Sequence, residues 1–506
     1  MKSMTSSIPI SQLKPPRNVG MKKLDKSKFL VTRKVWALLL PEIRYVNEFL
    51  DRKTRTTPTS LVLNIPQQPS LVEFPKGTLL ESLVEKLSDK NPKLKALLLR
   101  EDIAVTEKDV DHTHEDDYKP ELLKDKLTLQ QYERLSDLGA VFKIYELKFD
   151  FDYWAYDDIL KAILPDDLVE QCPSAFTIAG HLVHLNLKDQ YMPYRHIIGE
   201  VILEKFPNIK TVVNKTNNIT SEFRTFEMEV LAGEDDFVVT QKESGCQFTF
   251  DFKNVYWNSR LATEHERLIN SFKAGEIVCD VMAGVGPFAV PAGKKSTLVF
   301  ANDLNPEAYS YLQQNIKANK VDLFVQPSNL DGRKFIETSV QLISNFRERT
   351  PFVKYPVKVL NSGNKGKKSK SLEEQPNKKR TSKIDVPLFP SHYVMNLPDS
   401  AITFVNAYRG LYINSFNGKS KEEIKDLPGY KLPIINVHHF EKYKEEEIEG
   451  DVHTELEKRM HKKIVEQLGY DIPLEDVSFH VVRQVAPCKL MYCISFRLPE
   501  EVAFQS

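Results

Sequence analysis

Hydrophobic and polar positions repeat with periods that change along the chain, and the changes divide it into three regions. Residues 30–165 carry two patches with helical spacing, "TLLESLVEKLSDK" and "TLQQYERLSDLG". Residues 166–257 combine the strand-like alternation of "FTIAGHLVHLNL" with the helical period of "YRHIIGEVILEKFP". From 258 to 506 strands and helices alternate, which is typical of a parallel sheet with crossover helices. We therefore predict an α/β protein in which two smaller domains precede a large, mostly parallel sheet.

The parallel-sheet region opens with the apolar strand "EIVCDVM", followed at once by a glycine turn over 283–289. A second strand, "TLVFAN", leads to Asp303 and to a helix that begins at Asn305 and Pro306, an N-cap and a first-turn residue. The third and fourth strands are "VDLFVQ" and "HYVMN". The last two strands, joined by a turn, are expected to close the sheet with an antiparallel edge.

The glycine turn and the acid after the second strand predict a nucleotide-like ligand. Glycines let the backbone approach a ligand closely, and Asp303 is placed to accept hydrogen bonds from ribose hydroxyls. The spacing of Gly284, Gly286 and Ala289 also fits a dinucleotide fingerprint, so a dehydrogenase is an alternative. Asp280 argues against it, because a carboxylate there would repel a pyrophosphate but could face the ammonium group of a methionine. The pattern therefore favours a methyltransferase that uses S-adenosylmethionine.

The helix "NSRLATEHERL" directly precedes the first strand of that sheet, so its side chains can overhang the ligand. Its apolar residues recur at helical spacing, with Asn258 or Ser259 positioned to cap it. Arg260 and Glu264 are four residues apart and are expected to be neighbours on one face. A surface ion pair is the simplest interpretation, but the position of the helix favours a functional pair.

Composition narrows the range of partners and compartments. The 506 residues predict two or three domains. Because Lys plus Arg and Asp plus Glu both total 70, any nucleic-acid site must be a local patch.

Five scattered cysteines without a CxxC pair argue against a disulfide framework or a cysteine zinc site. The histidines of "DVDHTHEDDY" fit a solvated loop better than a metal site. No apolar run approaches the roughly 18 residues of a membrane span.

Two Lys-rich stretches differ from the predicted domains around them: one precedes the domains, and the other interrupts the region 258–506. Residues 1–24 contain five basic residues and no acid, which fits either a mitochondrial presequence or a disordered basic tail over 1–29. Met21 leaves two start sites open. Residues 361–383 are poor in apolar residues, and we predict a disordered insertion there.

Seven motifs occur in a fixed order: "NKTNNITSEFR", "NSRLATEHERL", "VCDVMAGVGPF", "ANDLNPEAY", "NLDGR", "HYVMNLPDSA" and "VRQVAPCKLMYCISF". This ordered set resembles the tRNA (guanine-37-N1)-methyltransferase family of the archaeal and eukaryotic type over roughly residues 175–500. The resemblance implies a Rossmann-like domain at 258–506 with a seven-stranded sheet whose last strand is antiparallel. It also implies a tRNA-recognition domain at 30–165 and a substrate-binding module at 166–257.

The resemblance further implies a reaction: a monomeric enzyme methylates N1 of guanine 37 in tRNA, which supports reading-frame maintenance. The residues implied to line the S-adenosylmethionine site are His265, Asp303, Leu304, Asp331, Gly332 and Asn396. His265 would also fit a core histidine, because it lies on the apolar face of its helix. The cytoplasm, nucleus and mitochondrial matrix are the expected compartments.

Guanine N1 carries a proton at neutral pH, so the enzyme must supply a base. We expect Glu264 to be that base and Arg260 to hold it in place. The resemblance assigns Arg224 to the negative charge that develops on guanine O6. A tRNA-binding protein without activity is the remaining alternative. It predicts a lost Glu264 or a broken glycine turn, and neither is seen.

Overall fold

A computed structural model describes residues 9–40, 45–49, 61–63, 65–75, 93–103, 105, 123–220, 225–356, 381–416, 418–448 and 450–505. The chain forms two compact units, Met1–Ala175 with Leu187–Pro207, and Phe176–Asn186 with Asn208–Ser506. The predicted boundaries at 165 and 257 do not coincide with this division. The reason is that the helix Arg195–Lys205 packs against the helix Tyr156–Ile163, inside the first unit. The functional division into three domains stays a prediction.

The first unit contains an antiparallel sheet in the order β2-β3-β1-β4. Its strands are β1 (Val31–Leu39), β2 (Leu71–Pro75), β3 (Lys93–Leu98) and β4 (Val141–Phe149). Its described helices are α1 (Val46–Phe49), α2 (Leu129–Asp137), α3 (Tyr156–Ile163), α4 (Asp166–Val169) and α5 (Arg195–Lys205). The predicted patch "TLQQYERLSDLG" forms α2, which begins with a capping box between Thr128 and Gln131. The other patch, "TLLESLVEKLSDK", and the acidic loop "DVDHTHEDDY" lie outside the described residues.

The described part of the basic N-terminal segment, residues 9–29, packs against this unit, so the prediction of a tail over 1–29 is wrong there. Ile10 and Phe29 are buried, and the backbone amide of Asn18 donates to the Ala162 carbonyl at 2.7 Å. Ion pairs fix its basic residues: Lys14–Asp158, Arg17–Asp166 and Lys26–Glu204. Composition alone cannot show this, because the acids that neutralise the segment lie more than a hundred residues away.

The second unit begins with two small sheets. One has the order β5-β6-β7-β8, with only the β6–β7 pair parallel, and the other is the hairpin β9–β10. The strands are β5 (Thr177–Ala179), β6 (Leu182–Leu185), β7 (Thr211–Thr220), β8 (Thr225–Gly233), β9 (Val238–Glu243) and β10 (Cys246–Asp251). The predicted single strand "FTIAGHLVHLNL" is thus two strands, because Gly180, with φ of 56°, turns the chain between them.

The seven-stranded sheet of the second unit has the order β13-β12-β11-β16-β17-β19-β18. Its strands are β11 (Ile277–Asp280), β12 (Leu298–Asn302), β13 (Val325–Ser328), β16 (His392–Met395), β17 (Ile434–Lys442), β18 (Val477–Ala486) and β19 (Lys489–Arg497). The pairs from β13 to β17 are parallel, whereas β19 is antiparallel to both of its neighbours. The Rossmann-like α/β prediction is confirmed, but the antiparallel strand lies one place inside the edge.

The order of this sheet locates the ligand crevice. Strands β11, β12 and β13 follow each other in one direction, and β16 and β17 continue in the other. Ligands of open parallel sheets bind at the carboxyl ends of the strands where the order reverses, here between β11 and β16. The helices of the unit are α6 (Ala262–Ser271), α7 (Ala289–Lys294), α8 (Pro306–Ala318), α9 (Gly332–Arg349), α10 (Lys421–Lys425), α11 (Val452–Leu468) and α12 (Glu500–Ala503).

A further hairpin flanks the predicted insertion. Strand β14 (Phe352–Pro356) pairs antiparallel with β15 (Thr381–Asp385). The predicted end of the insertion at 383 is therefore wrong by three residues, because Thr381, Ser382 and Lys383 form the ladder. Residues 361–380 lie outside the described residues. Among the described helices, none is both long and apolar enough to cross a membrane.

Candidate active site

The glycine turn after β11 is built on left-handed backbone. Gly284 has φ of 55° and Gly286 has φ of 97°. A Cβ at Gly286 would stand 2.8 Å from both Leu312 Cδ1 and Val290 Cγ2, so a side chain would strain both the backbone and the packing. The turn can therefore stay tight and bring backbone amides to the carboxyl edge of the sheet.

Asp303 follows β12 and holds the glycine turn. Its Oδ2 accepts a hydrogen bond from the Gly284 amide at 2.7 Å, and its Oδ1 accepts one from the Asn305 amide at 2.9 Å. Burial raises the pKa of Asp303, while these backbone hydrogen bonds oppose the rise. A carboxylate offers about four lone-pair sites, so about two remain for ribose hydroxyls. Leu304, beside it, is exposed.

Asp331 and Gly332 mark the start of α9, at the end of β13. The Oδ1 atom of Asp331 caps the helix by accepting from the amides of Arg333 at 2.9 Å and Lys334 at 3.2 Å. Gly332 is buried, and a Cβ there would stand 3.1 Å from Phe404 Cε1. A glycine therefore keeps this backbone close to the crevice.

Sequence reasoning missed Asn302, the last residue of β12, which ties the neighbouring loops together. Its amide nitrogen donates to the carbonyls of Val281 at 3.1 Å and Leu330 at 2.9 Å, and its amide oxygen accepts from the Leu330 amide at 2.9 Å. An asparagine at the end of an otherwise apolar strand is the signal that could have identified it.

Two polar groups at the reversal point lack hydrogen-bond partners among the described residues. Both carboxylate oxygens of Asp280, at the end of β11, are buried and unpaired, and so is the amide oxygen of Asn396, just after β16. Burial, with a contribution from Asp303, raises the pKa of Asp280 to about 8. An unpaired buried acceptor costs about 1–3 kcal/mol. A ligand with hydrogen-bond donors would remove that cost, and the ammonium group of S-adenosylmethionine fits.

Glu264, on α6, lies in a buried ion cluster. Its Oε2 accepts from Arg267 Nε at 2.6 Å, and its Oε1 accepts from Arg267 Nη2 at 2.7 Å and from His438 Nε2 at 2.8 Å. Burial raises the pKa of Glu264, but the hydrogen bonds from Arg267 and His438 outweigh it and lower the pKa to about 2. The carboxylate is therefore ionised and fixed in position.

The expected pairing of Arg260 with Glu264 is wrong, because Arg267 takes that place. Arg260 is exposed and lies in the 3-10 turn Ser259–Leu261, where its backbone amide donates to the side chain of Asn258. The α-helix begins only at Ala262, so the four-residue spacing does not place Arg260 on the same helical face. The three-residue spacing of Glu264 and Arg267 was the usable signal.

His265 is buried on the apolar face of α6, as expected, but it also has a polar partner that sequence reasoning missed. Its Nδ1 lies 2.6 Å from Oε1 of Glu243, which is the last residue of β9. The ring meets Phe288 edge-on, with the centroids 4.6 Å apart. Glu243 therefore fixes the ring orientation, and the role of His265 toward the donor stays a prediction.

The remaining groups around Glu264 come from the last strands of the sheet. Burial lowers the pKa of His438, but Cys493 and Glu264 beside it outweigh burial and raise the pKa to about 10. The ligand atoms of Glu264, His438 and Cys493 lie within 4.8 Å of one another, yet we assign no metal because Arg267 already binds both carboxylate oxygens. Arg224 lies outside the described residues.

Comparisons with known proteins show the family of the chain. A family model described as TYW2 N-terminal domain matches residues 156–236, and one described as TRM5/TYW2 methyltransferase domain matches residues 239–354. A tRNA (guanine(37)-N(1))-methyltransferase of Candida albicans is 41% identical and covers 98% of this chain and 99% of its own length. The enzyme of that name from Saccharomyces cerevisiae is 41% identical, with 96% and 95% covered.

A third relative of that name, from Schizosaccharomyces pombe, is 48% identical over 71% of this chain and 76% of its own length. The crystal structure of WT Trm5b from Pyrococcus abyssi is 22% identical and covers 85% of this chain and 99% of that one, with a TM-score of 0.46. The Rossmann-like fold of this chain follows from the order of its seven-stranded sheet. The comparisons support neither the dehydrogenase nor the non-catalytic alternative.

Proposed function

We propose that this chain, which belongs to the family of tRNA (guanine(37)-N(1))-methyltransferases, uses Glu264 as the general base that removes the N1 proton of guanine 37. The chain is an S-adenosylmethionine-dependent tRNA methyltransferase. One observation carries the assignment of the base: Glu264 is a buried, ionised carboxylate, anchored by Arg267 and His438, on the helix that precedes the donor strand. A fixed carboxylate is ready to accept a proton without prior rearrangement.

The base works together with charge stabilisation. As the N1 proton moves to Glu264, negative charge spreads over the guanine ring to O6, which calls for a cationic donor. Arg224 is the proposed donor, and the family resemblance is its support. S-adenosylmethionine, when bound, supplies the methyl group as an activated sulfonium, whose sulfur keeps the bonding electrons as N1 takes the methyl.

The carboxyl edge of the sheet offers groups that fit each part of the donor. We assign Asp280 to the ammonium group, Asp303 to the ribose hydroxyls, and Asp331 with the Gly332 backbone to the adenine edge. Leu304 is exposed beside Asp303, where an apolar surface suits the adenine ring. Asp280 supports this assignment most strongly, because both of its oxygens are buried and neither has a donor in the part of the chain that the structure describes.

Asn396 is assigned to the guanine edge or the donor, because an amide can both donate and accept a hydrogen bond without adding charge. It is followed by Leu397 and Pro398, so the turn lacks an aromatic residue that could stack on an exocyclic amine. That composition suits a ring nitrogen with a separate base. The target base must leave its stack in the loop to reach the site.

Guanine specificity is tested with two tRNAs that differ only at position 37. The full-length protein should transfer a labelled methyl group from S-adenosylmethionine to the tRNA with guanine and not to the one with adenine. Equal labelling of both would contradict the proposed target. Digestion to nucleosides shows whether the product is N1-methylguanosine.

Two proposals concern the protein as a whole. A monomer follows from the family resemblance, and light scattering of the purified chain tests it. Residence in the mitochondrial matrix, beside the cytoplasm and nucleus, rests on the acid-free composition of residues 1–24. Cell fractionation of the full-length protein tests it.

A further inference from the structure

Three protonatable side chains form a row across the last strands of the sheet. In the strand register Cys493 of β19 lies directly opposite His438 of β17 on one side and His480 of β18 on the other. Residues directly opposite each other in antiparallel strands share a sheet face. Both imidazoles contact Glu264, so this face looks toward α6.

The two histidines of the row differ in their access to water. The His438 side chain is 0% exposed, whereas that of His480 is 46% exposed. The Nε2 atom of His480 lies 3.7 Å from Oε2 of Glu264, whose side chain is 3% exposed. Arg267 is also partly exposed, but a guanidinium stays protonated, so among the described residues that contact Glu264 the half-exposed imidazole of His480 is the group that can carry a proton from the buried carboxylate to solvent.

The hydrogen bonds of Glu264 leave a lone pair free on Oε2, the oxygen that contacts His480. Oε1 accepts from both Arg267 and His438, whereas Oε2 accepts from Arg267 alone. Each carboxylate oxygen has about two lone-pair sites, so the open one is on Oε2. A proton accepted there starts next to the half-exposed imidazole.

We propose that His480 is a proton-relay residue, which takes from Glu264 the proton removed from guanine N1 and releases it to solvent. The inference rests on the proposed role of Glu264 as the base. His480 acts through Glu264, so it is a positioning residue for the proton rather than a catalytic residue that touches the substrate.

The charges around His480 support a neutral ring with a free lone pair. Burial lowers the pKa of His480, and Arg267 and His438 lower it further, while Glu264 opposes them. A carboxylate that already accepts three strong hydrogen bonds is a weak base, and a neutral imidazole is a stronger one. Passing the proton onward therefore makes its removal from N1 less unfavourable.

The relay balances without a further reactant. The N1 proton moves to Glu264 Oε2 and then crosses the 3.7 Å gap to Nε2 of His480 through one bridging water, and the ring releases its Nδ1 proton to solvent. The methyl group moves to N1, and the sulfonium becomes a neutral thioether. The net products are the methylated base, the thioether and one proton, and Glu264 is ionised again.

The test compares His480→Gln, His480→Ala and Glu264→Gln in single-turnover methylation by the full-length enzyme, with Val481→Ala as the control. Val481 is the exposed neighbour of His480 on the same strand. At neutral pH both His480 variants should be slower by roughly 10- to 100-fold, within the range for proton-transfer groups. We expect the wild type to lose rate as pH falls, because protonation of His480 removes the proton acceptor, and this loss should disappear in both variants. Free imidazole should restore His480→Ala.

The possible outcomes distinguish the relay role of His480 from the role of Glu264 as the base. A slow Glu264→Gln with full-speed His480 variants would overturn the relay and keep the base. A full-speed Glu264→Gln would overturn both. Slow His480 variants without imidazole rescue and with an unchanged pH profile would show a structural role only. The double variant should be no slower than Glu264→Gln, and additive losses would overturn the relay.

Discussion

Two buried carboxylates of the same unit, Asp280 and Glu264, have pKa values displaced in opposite directions. Asp280 ends a parallel strand and has no hydrogen-bond donor among the described residues, and its pKa is raised to about 8. Glu264 is also buried, but it is held by Arg267 and His438, and its pKa is lowered to about 2. Environment, rather than residue type, assigns each carboxylate its role.

The difference shows how the two regions prepare for reaction. The donor crevice lies at the carboxyl ends of β11 and β16, where the Asp280 carboxylate and the Asn396 amide oxygen have no hydrogen-bond partner among the described residues. A ligand that donates hydrogen bonds to them removes the free-energy cost of burying them unpaired. In the base cluster, which consists of Glu264, Arg267 and His438, the charged groups already pair with one another in the absence of substrate. We therefore expect the region of Asp280 to select a cation and the region of Glu264 to supply a fixed anion.

Among the variants that test the contrast between Asp280 and Glu264, Glu264→Gln should have the largest effect. It keeps the size and hydrogen bonding of the side chain but removes the base. Single-turnover methylation at neutral pH should fall by roughly 10²- to 10⁴-fold. The remaining activity should rise with pH, because hydroxide can then remove the N1 proton. Glu266→Gln, an exposed change on the same helix, should keep the wild-type rate. A wild-type methylation rate of Glu264→Gln would show that the cluster around Glu264 has only a structural role.

Asp303→Ala should weaken binding of S-adenosylmethionine, because ribose hydroxyls lose a charged acceptor worth about 1.5–3 kcal/mol per hydrogen bond. The dissociation constant should rise by roughly 10- to 100-fold in calorimetry. Asp322→Ala, away from the site, should leave it unchanged. Equal constants for the wild type and Asp303→Ala would remove Asp303 from the donor crevice.

The raised pKa of Asp280 predicts that donor binding depends on pH. The ammonium group pairs with the ionised carboxylate, so binding must release the proton that Asp280 holds below its pKa of about 8. Affinity should therefore rise with pH by up to about tenfold per unit below that value and level off above it. Asp280→Asn should bind more weakly and flatten the profile. A pH-independent wild-type dissociation constant would contradict the pairing.

The smallest expected effect concerns stability. Arg267→Gln should lower the free energy of unfolding by about 1.5–3 kcal/mol, because it removes the hydrogen bonds to a buried carboxylate. The lowered pKa of Glu264 means that its stabilising contribution is present above pH 4–5 and is lost as pH falls toward about 2. Arg260→Gln is the matched control and should change stability by only a few tenths of a kcal/mol. Equal losses in both would restore the predicted Arg260 pairing.

The local geometry around the glycine turn was largely predictable because its signals lie close together in sequence. The glycine turn, Asp303 and the helix start at Asn305 and Pro306 lie within a short stretch, and each has its own backbone requirement. The unpaired state of Asp280 was not predictable in full, although its position in an apolar strand indicated a cationic partner.

The base cluster was predictable only in its central residue. Arg267 could have been found from helical spacing, but His438 is 174 residues away from Glu264 in sequence. Only the strand register brings His438, Cys493 and His480 together. The packing of residues 9–29 was hidden for the same reason, since its partners are distant acids and carbonyls of the same unit.

The hairpin β14–β15 has a practical consequence for engineering. Its ladder runs from Phe352 opposite Asp385 to Pro356 opposite Thr381, so it holds together the two ends of the segment between them. For a chain segment whose ends are held together, each doubling of its length costs only about 0.6 kcal/mol more in closure entropy. Residues 361–380 are therefore the place to graft a reporter or affinity tag into the middle of the chain while the donor crevice and the base cluster stay intact.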